Sequence, residues 1–151
     1  ATALARIDLL NKISQNFDVT VYTHADCKDI LPTAIYGGKI DYYDTMPTVF
    51  QHSKINLNIT LKTIQTGIPL RAWDILGCGG FLLTNFQQEL CDFFIPGEDF
   101  VYYESPADAI EKAAYFLSHD RERQEIAHNA FEKIAASHTF HHRVQSMFDI
   151  I

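Results

Sequence analysis

The chain has 151 residues, 47% of them hydrophobic and 21% charged, and carries a net charge of −7. This suits one globular domain over residues 1–151 with a substantial core. The acidic balance argues against a nucleic-acid interface, which normally shows a basic patch, and no apolar run reaches the length of a membrane span.

The first element is a helix over residues 3–17, with Leu4, Ile7, Leu10, Ile13 and Phe17 at helical spacing. A strand follows over residues 18–23, and His24 and Asp26 read as a solvated turn at its end. Residues 31–38 read as weakly structured, ending in a Gly37-Gly38 turn, and residues 39–43 as a short strand. Asp44 or Thr45 caps a helix to about His52, with Pro47 in its first turn. Residues 54–60 alternate in period two, the pattern of a strand.

Residues 66–84 organise the rest. Thr66-Gly67 starts a helix that Gly77, Gly79 and Gly80 end, and residues 81–84 read as a strand buried on both faces. Asn85 is expected to cap a helix over residues 86–94. Pro96 to Asp99 is a turn, and residues 100–103 the next strand. Ser105-Pro106-Ala107-Asp108 has the cap, proline and early acid of a helix start, with Ile110, Ala113, Ala114 and Leu117 facing inward. Asp120 caps a helix to about Ala136, and Thr139 one through Ile151. Strands alternating with helices predict an α/β fold, a Rossmann-like parallel sheet with helices on both faces. Such a fold usually opens with a strand, so one is expected upstream of Ala3.

Arg71 and Asp74 lie three residues apart and share a face near the start of the central helix. A helix start after a strand, with an arginine on it, suits a phosphate, and an acid one turn on can accept from sugar hydroxyls. Two readings of Asp74 stand open: this one, and a surface carboxylate paired with Arg71. Gly67 and Ile68 offer backbone amides, or merely begin the helix. Asn58 and Thr60 end the alternating strand, facing the presumed cleft. Lys62 reaches either a phosphate or solvent. Tyr42 and Tyr43 are candidates to flank a nucleotide base, with at least one of the two expected in the core. Cys27, Cys78 and Cys91 are odd in number without paired spacing, so reduced thiols of a cytoplasmic protein are expected. His138, His141 and His142 have helical spacings, but no acid or cysteine completes a tetrahedral set, and no metal is expected.

Three segments in order carry a resemblance: Ser53-Lys54-Ile55-Asn56-Leu57-Asn58; then Gly67-Ile68-Pro69-Leu70-Arg71-Ala72-Trp73-Asp74-Ile75-Leu76-Gly77-Cys78-Gly79-Gly80-Phe81-Leu82-Leu83-Thr84; then Gly97-Glu98-Asp99 and His138-Thr139-Phe140-His141-His142-Arg143. Together they resemble the carboxy-terminal, donor-binding domain of a GT-B glycosyltransferase, in the group related to spore-coat CgeB-type proteins. The resemblance implies one half of a GT-B fold, an upstream amino-terminal domain, and a nucleotide-diphosphate sugar as donor, without a further cofactor. It implies that Arg71 and the Gly67-Ile68 turn hold the diphosphate. Retaining members of one large GT-B family carry two glutamates seven residues apart here. The second, which binds the ribose, falls on Asp74; the first falls on Thr66, so that pair is not intact. The last helix often crosses back to the other domain in such proteins. The fragment alone is expected to be inactive, since half the cleft and any general base lie elsewhere. Two rivals keep the α/β fold without catalysis: a flavodoxin-like or receiver-like interaction module, and a degenerate glycosyltransferase, for which Thr66 is the main support.

Overall fold

The computed structural model describes residues 2–60 and 67–149. Helix α1 (Thr2–Ser14) leads to β1 (Thr20–Tyr22) and β2 (Ile35–Gly38), then α2 (Met46–His52) and β3 (Asn56–Asn58). Next come α3 (Leu70–Gly77), β4 (Leu82–Asn85), a short 3-10 helix (Gln88–Asp92) and β5 (Val101–Tyr103). Helices α4 (Pro106–Ser118), α5 (Asp120–Ser137) and α6 (Phe140–Phe148) complete the chain.

All strand pairs are parallel, as expected, but they fall into two sheets: β1-β2 and β3-β4-β5. Strand β4 lies between two layers of helices. Leu83 joins Leu9 and Ile13 of α1 with Ala113, Phe116 and Ile126 of α4 and α5 on one side. Leu82 joins Phe50, Ala72, Ile75, Leu76 and Leu90 on the other. The alternation of a strand sends neighbouring leucines into two different cores, so a double-leucine strand is stable only when both faces are covered. This is a Rossmann-like half-domain.

The central helix begins later than expected. Proline disfavours helical geometry in the residue before it, and Pro69 itself is extended at φ −57°, ψ 136°, so α3 starts at Leu70. Its end follows the glycines. Gly79 takes φ +73°, its amide donates to Leu76 O, and the Gly80 amide donates to Ile75 O, the pair of bonds that closes a Schellman end. Gly80 also sits where a Cβ would lie 2.7 Å from both Asn56 Nδ2 and Phe50 O. The first helix starts at Thr2 and buries Leu9 and Ile13, whereas Leu4 is exposed.

Other local expectations shift for identifiable reasons. The strand expected over residues 39–43 is instead β2, four residues upstream in its start. Asp41 Oδ1 accepts from the Tyr43 and Asp44 amides, each at 2.8 Å, and this side-chain turn takes groups a ladder would need. Asn85 does not cap a helix; it ends β4, and its Oδ1 accepts from Thr60 N at 2.7 Å. On α4 the buried residues are Ala109, Ala113 and Phe116, and Ala114 is exposed. The caps at Ser105 and Thr139 form as expected, each side chain accepting an amide three residues on. Asp120 is the first residue of α5, with His119 at the cap, and pairs with the buried Arg123. Helix α6 is described to Phe148, and residues 150–151 lie outside the described residues.

Candidate functional site

The carboxy ends of parallel strands are where open α/β sheets place ligands. Here the ends of β3 and β4 carry a buried polar network. Asn58 Nδ2 donates to Thr84 Oγ1 and to Thr60 Oγ1, both at 3.0 Å, and Tyr103 Oη donates to Asn58 O at 3.2 Å. Asn58, Thr60 and Thr84 are all buried. Asn58 and Thr60 are therefore brought together, the Asn58 amide group donating to both threonine hydroxyls. Burial pushes the Tyr103 phenol far above its ordinary value. Thr84 and Tyr103 were not singled out from the sequence. The register that sets Asn58 opposite Thr84 is the signal that finds Thr84.

A second group surrounds the first turns of α3. Tyr42 Oη donates to Asp74 Oδ2 at 2.5 Å, joining the turn after β2 to the helix. This bond holds the Tyr42 phenol above its ordinary value, burial adds to it, and the nearby Arg71 charge opposes it. Asp74 thus takes a tyrosine hydroxyl, and no Arg71–Asp74 ion pair forms among the described residues. Arg71 is exposed. Neither tyrosine is in the core: Tyr42 is 47% and Tyr43 83% exposed, and their rings meet edge to face at 5.2 Å. Gly67 lies at φ +95° outside the helix, and Ile68 packs against the core beneath α3. The amides at the head of α3 are therefore those of Leu70 and Arg71. Thr66 and Lys62 lie outside the described residues.

The remaining motifs have structural roles. Asp99 is 1% exposed, accepts from Ile95 N at 2.7 Å and pairs with Lys133 Nζ, which closes the turn before β5. His142 Nδ1 accepts from Thr139 N in a capping box. His138 packs at 5.2 Å on the Trp73 ring of α3, and burial, then the Arg143 and His142 charges, lower its pKa. A hollow of about 360 Å³ opens at the opposite, amino end of the sheet, lined in part by His52, Lys54, Cys78, Arg123 and His128. The three cysteines are free thiols. Among the described residues no helix is long and apolar enough to cross a membrane.

Residues 6–149 match a family model described as glycosyl transferase-like. The chain belongs to that family. In this glycosyl transferase-like domain, the match runs from within α1 through α6, so all five strands and the head of α3 lie inside it. A search of curated proteins finds no match.

Proposed function

We propose that this glycosyl transferase-like domain, of the CgeB-related GT-B type, binds the nucleotide-diphosphate sugar from which a sugar is transferred. The observation that carries the reading is Asp74 in the second turn of α3, bonded by the Tyr42 hydroxyl, one turn on from the exposed Arg71. Arg71 and the Leu70 and Arg71 amides meet the diphosphate. Such donors stabilise the charge that develops on a leaving diphosphate, without a bound metal. The remaining lone pairs of Asp74 accept from ribose hydroxyls. Tyr43 offers an open ring face to a base, because stacking is tolerant of base identity. Asn58 and Thr60 hold the strand ends that support this surface. Half of the cleft, with any general base, lies on an upstream domain, so transfer by residues 1–151 alone is not expected.

Calorimetric titration with UDP, GDP and dTDP, against wild type, Arg71→Ala and Asp74→Ala, tests the reading. Loss of charge-assisted hydrogen bonds worth about 1.5–3 kcal/mol lowers affinity by roughly 10- to 100-fold for Arg71→Ala. Binding to the full natural polypeptide that neither substitution weakens would overturn the assignment of this site. A full polypeptide that binds none of the three diphosphates would favour the degenerate reading, in line with Thr66.

A further inference from the structure

The hollow at the amino end of the sheet gathers cations. Its volume of about 360 Å³ lies within the range of pockets that hold small molecules. Three parts of the chain build it: the segment from Gln51 to Lys54 that leads from α2 into β3, the end of α3 at Cys78 and Gly79, and one face of α5. Residues three and four apart on a helix share a face, so Arg123, Gln124, His128 and Phe131 present one wall together. Lys54, Arg123, His52 and His128 all line the hollow, and no aspartate or glutamate does. The chain has 19 acidic residues against 12 lysines and arginines, so this wall runs against its overall balance.

Arg123 is the anchored member. It is 6% exposed, and its Nη1 donates to Phe116 O at 2.7 Å and to Asp120 Oδ1 at 2.6 Å. These bonds fix the guanidinium, yet among the described residues its Nε and Nη2 bond no protein group. A guanidinium carries five N–H donors, and a buried one is normally satisfied. Lys54 is exposed and forms no ion pair among the described residues. Asp120 answers part of this charge: Arg123 holds its carboxyl below its ordinary value, and Lys54 adds to the effect. His52 Nδ1 is engaged with Thr48 O at 2.8 Å, which leaves Nε2 for a ligand. Burial, then the Asp74 charge, raise the Cys78 thiol, so it serves as wall and not as a nucleophile. Cations crowded into one hollow repel one another unless an anion joins them.

We propose that this hollow binds a small phosphomonoester, its phosphate between the free N–H groups of Arg123 and the Lys54 ammonium, its organic part against Gln124, His128 and Phe131. The guanidinium fork matches phosphate geometry, and the ammonium adds a point charge. The Gln51 and Gln124 amides can donate to and accept from hydroxyls on the organic part. The bonds to Phe116 and Asp120 hold the guanidinium in place before the ligand arrives, which lowers the cost of binding. A free sugar phosphate and the headgroup of phosphatidic acid present the same group. The hollow lies at the end of the sheet away from Arg71 and Asp74, so the inference does not depend on what that surface binds.

Titration of the full natural polypeptide with inorganic phosphate and with glucose 6-phosphate, at constant ionic strength, tests it. Co-sedimentation with phosphatidylcholine vesicles, with and without phosphatidic acid, forms the second arm. Inorganic phosphate is expected to bind saturably and to move the amide resonances of Lys54, Gly79 and Gln124. Lys54→Ala, at an exposed side chain, should weaken it roughly 10-fold, and Arg71→Ala should leave it unchanged. Tighter binding of glucose 6-phosphate than of phosphate would assign the hollow to free organic phosphates. Capture by phosphatidic acid vesicles that Lys54→Ala abolishes would assign it to a lipid headgroup. Absence of phosphate binding would overturn the proposal, as would binding that Lys54→Ala leaves intact or Arg71→Ala removes. So would phosphate binding with neither gain from the sugar nor capture by vesicles.

Discussion

Strands β4 and β1 are both short and parallel, yet they live in different surroundings. Leu82, Leu83 and Thr84 of β4 are 0%, 1% and 0% exposed. In β1, Thr20 and Tyr22 are exposed and Val21 is half-buried. Both strands are intrinsically suited to a sheet, and Thr-Val-Tyr is the better β-former of the two. What separates them is neighbours. Strand β4 has a ladder on each side and helices on each face, whereas β1 has one ladder and an open edge. Burial in a parallel sheet is thus a property of position in the order, and composition follows it.

The contrast can be broken from its strong side first. Leu82→Ala should lower unfolding free energy by about 2–5 kcal/mol, because a fully enclosed leucine leaves a cavity that packed helices cannot fill. Val21→Ala should cost about 1 kcal/mol or less, since a half-exposed methyl pair loses little burial. Urea unfolding of both variants checks the ranking, and equal losses would mean that β1 is as enclosed as β4.

The next effect concerns the turn that delivers β5 to β4. Asp99→Ala removes the acceptor of Ile95 N and the partner of Lys133. Leaving a buried donor without its acceptor should cost about 2–3 kcal/mol in the same assay. A change within experimental error would show that the turn holds without its carboxylate.

The smallest effect lies at the exit of β5. Burial raises the Asp108 carboxyl, but hydrogen bonds from Lys112 and the Glu104 amide outweigh it and hold it below its ordinary 3.8. A carboxyl depressed in the folded state contributes stability that is fully present above its unfolded pKa. That contribution is lost as pH falls through the lower, folded value. Asp108→Asn should therefore cost under about 1 kcal/mol at pH 7, as a partly exposed helix pair does. The difference from wild type should shrink as unfolding is measured toward pH 3. A difference that persists there would point to packing instead of charge.

Much of this architecture is local and so was legible in the chain itself. Ser105 followed by Pro106 and Asp108 states a helix start in four residues, and the structure forms it. Leu82-Leu83 announces a strand covered twice. The errors came where two local signals competed. Gly37-Gly38 resembled a turn, but these residues belong to β2, and the turn belongs to Asp41, whose side chain captures two amides. Thr66-Gly67 suited a helix start, yet α3 begins only at Leu70, because the residue before a proline resists helical geometry and Pro69 itself is extended. At the site, Asp74, Arg71 and Tyr42 could be named singly. That Asp74 is held by Tyr42 and not by Arg71 could not be read.

The sequence by itself determined the alternation of helices and strands, the caps, the doubly buried β4 and the membership of residues 6–149 in the glycosyl transferase-like family. Those signals act over a few residues, where backbone preference and periodicity are enough. Only the tertiary structure decided that Tyr42 meets Asp74 across 32 residues and that Asn58 meets Thr84 across 26. It alone left β1 and β3 facing one core without a shared ladder. The physical reason is that strand order and register set which distant groups come into hydrogen-bond reach, and no short stretch of chain encodes them.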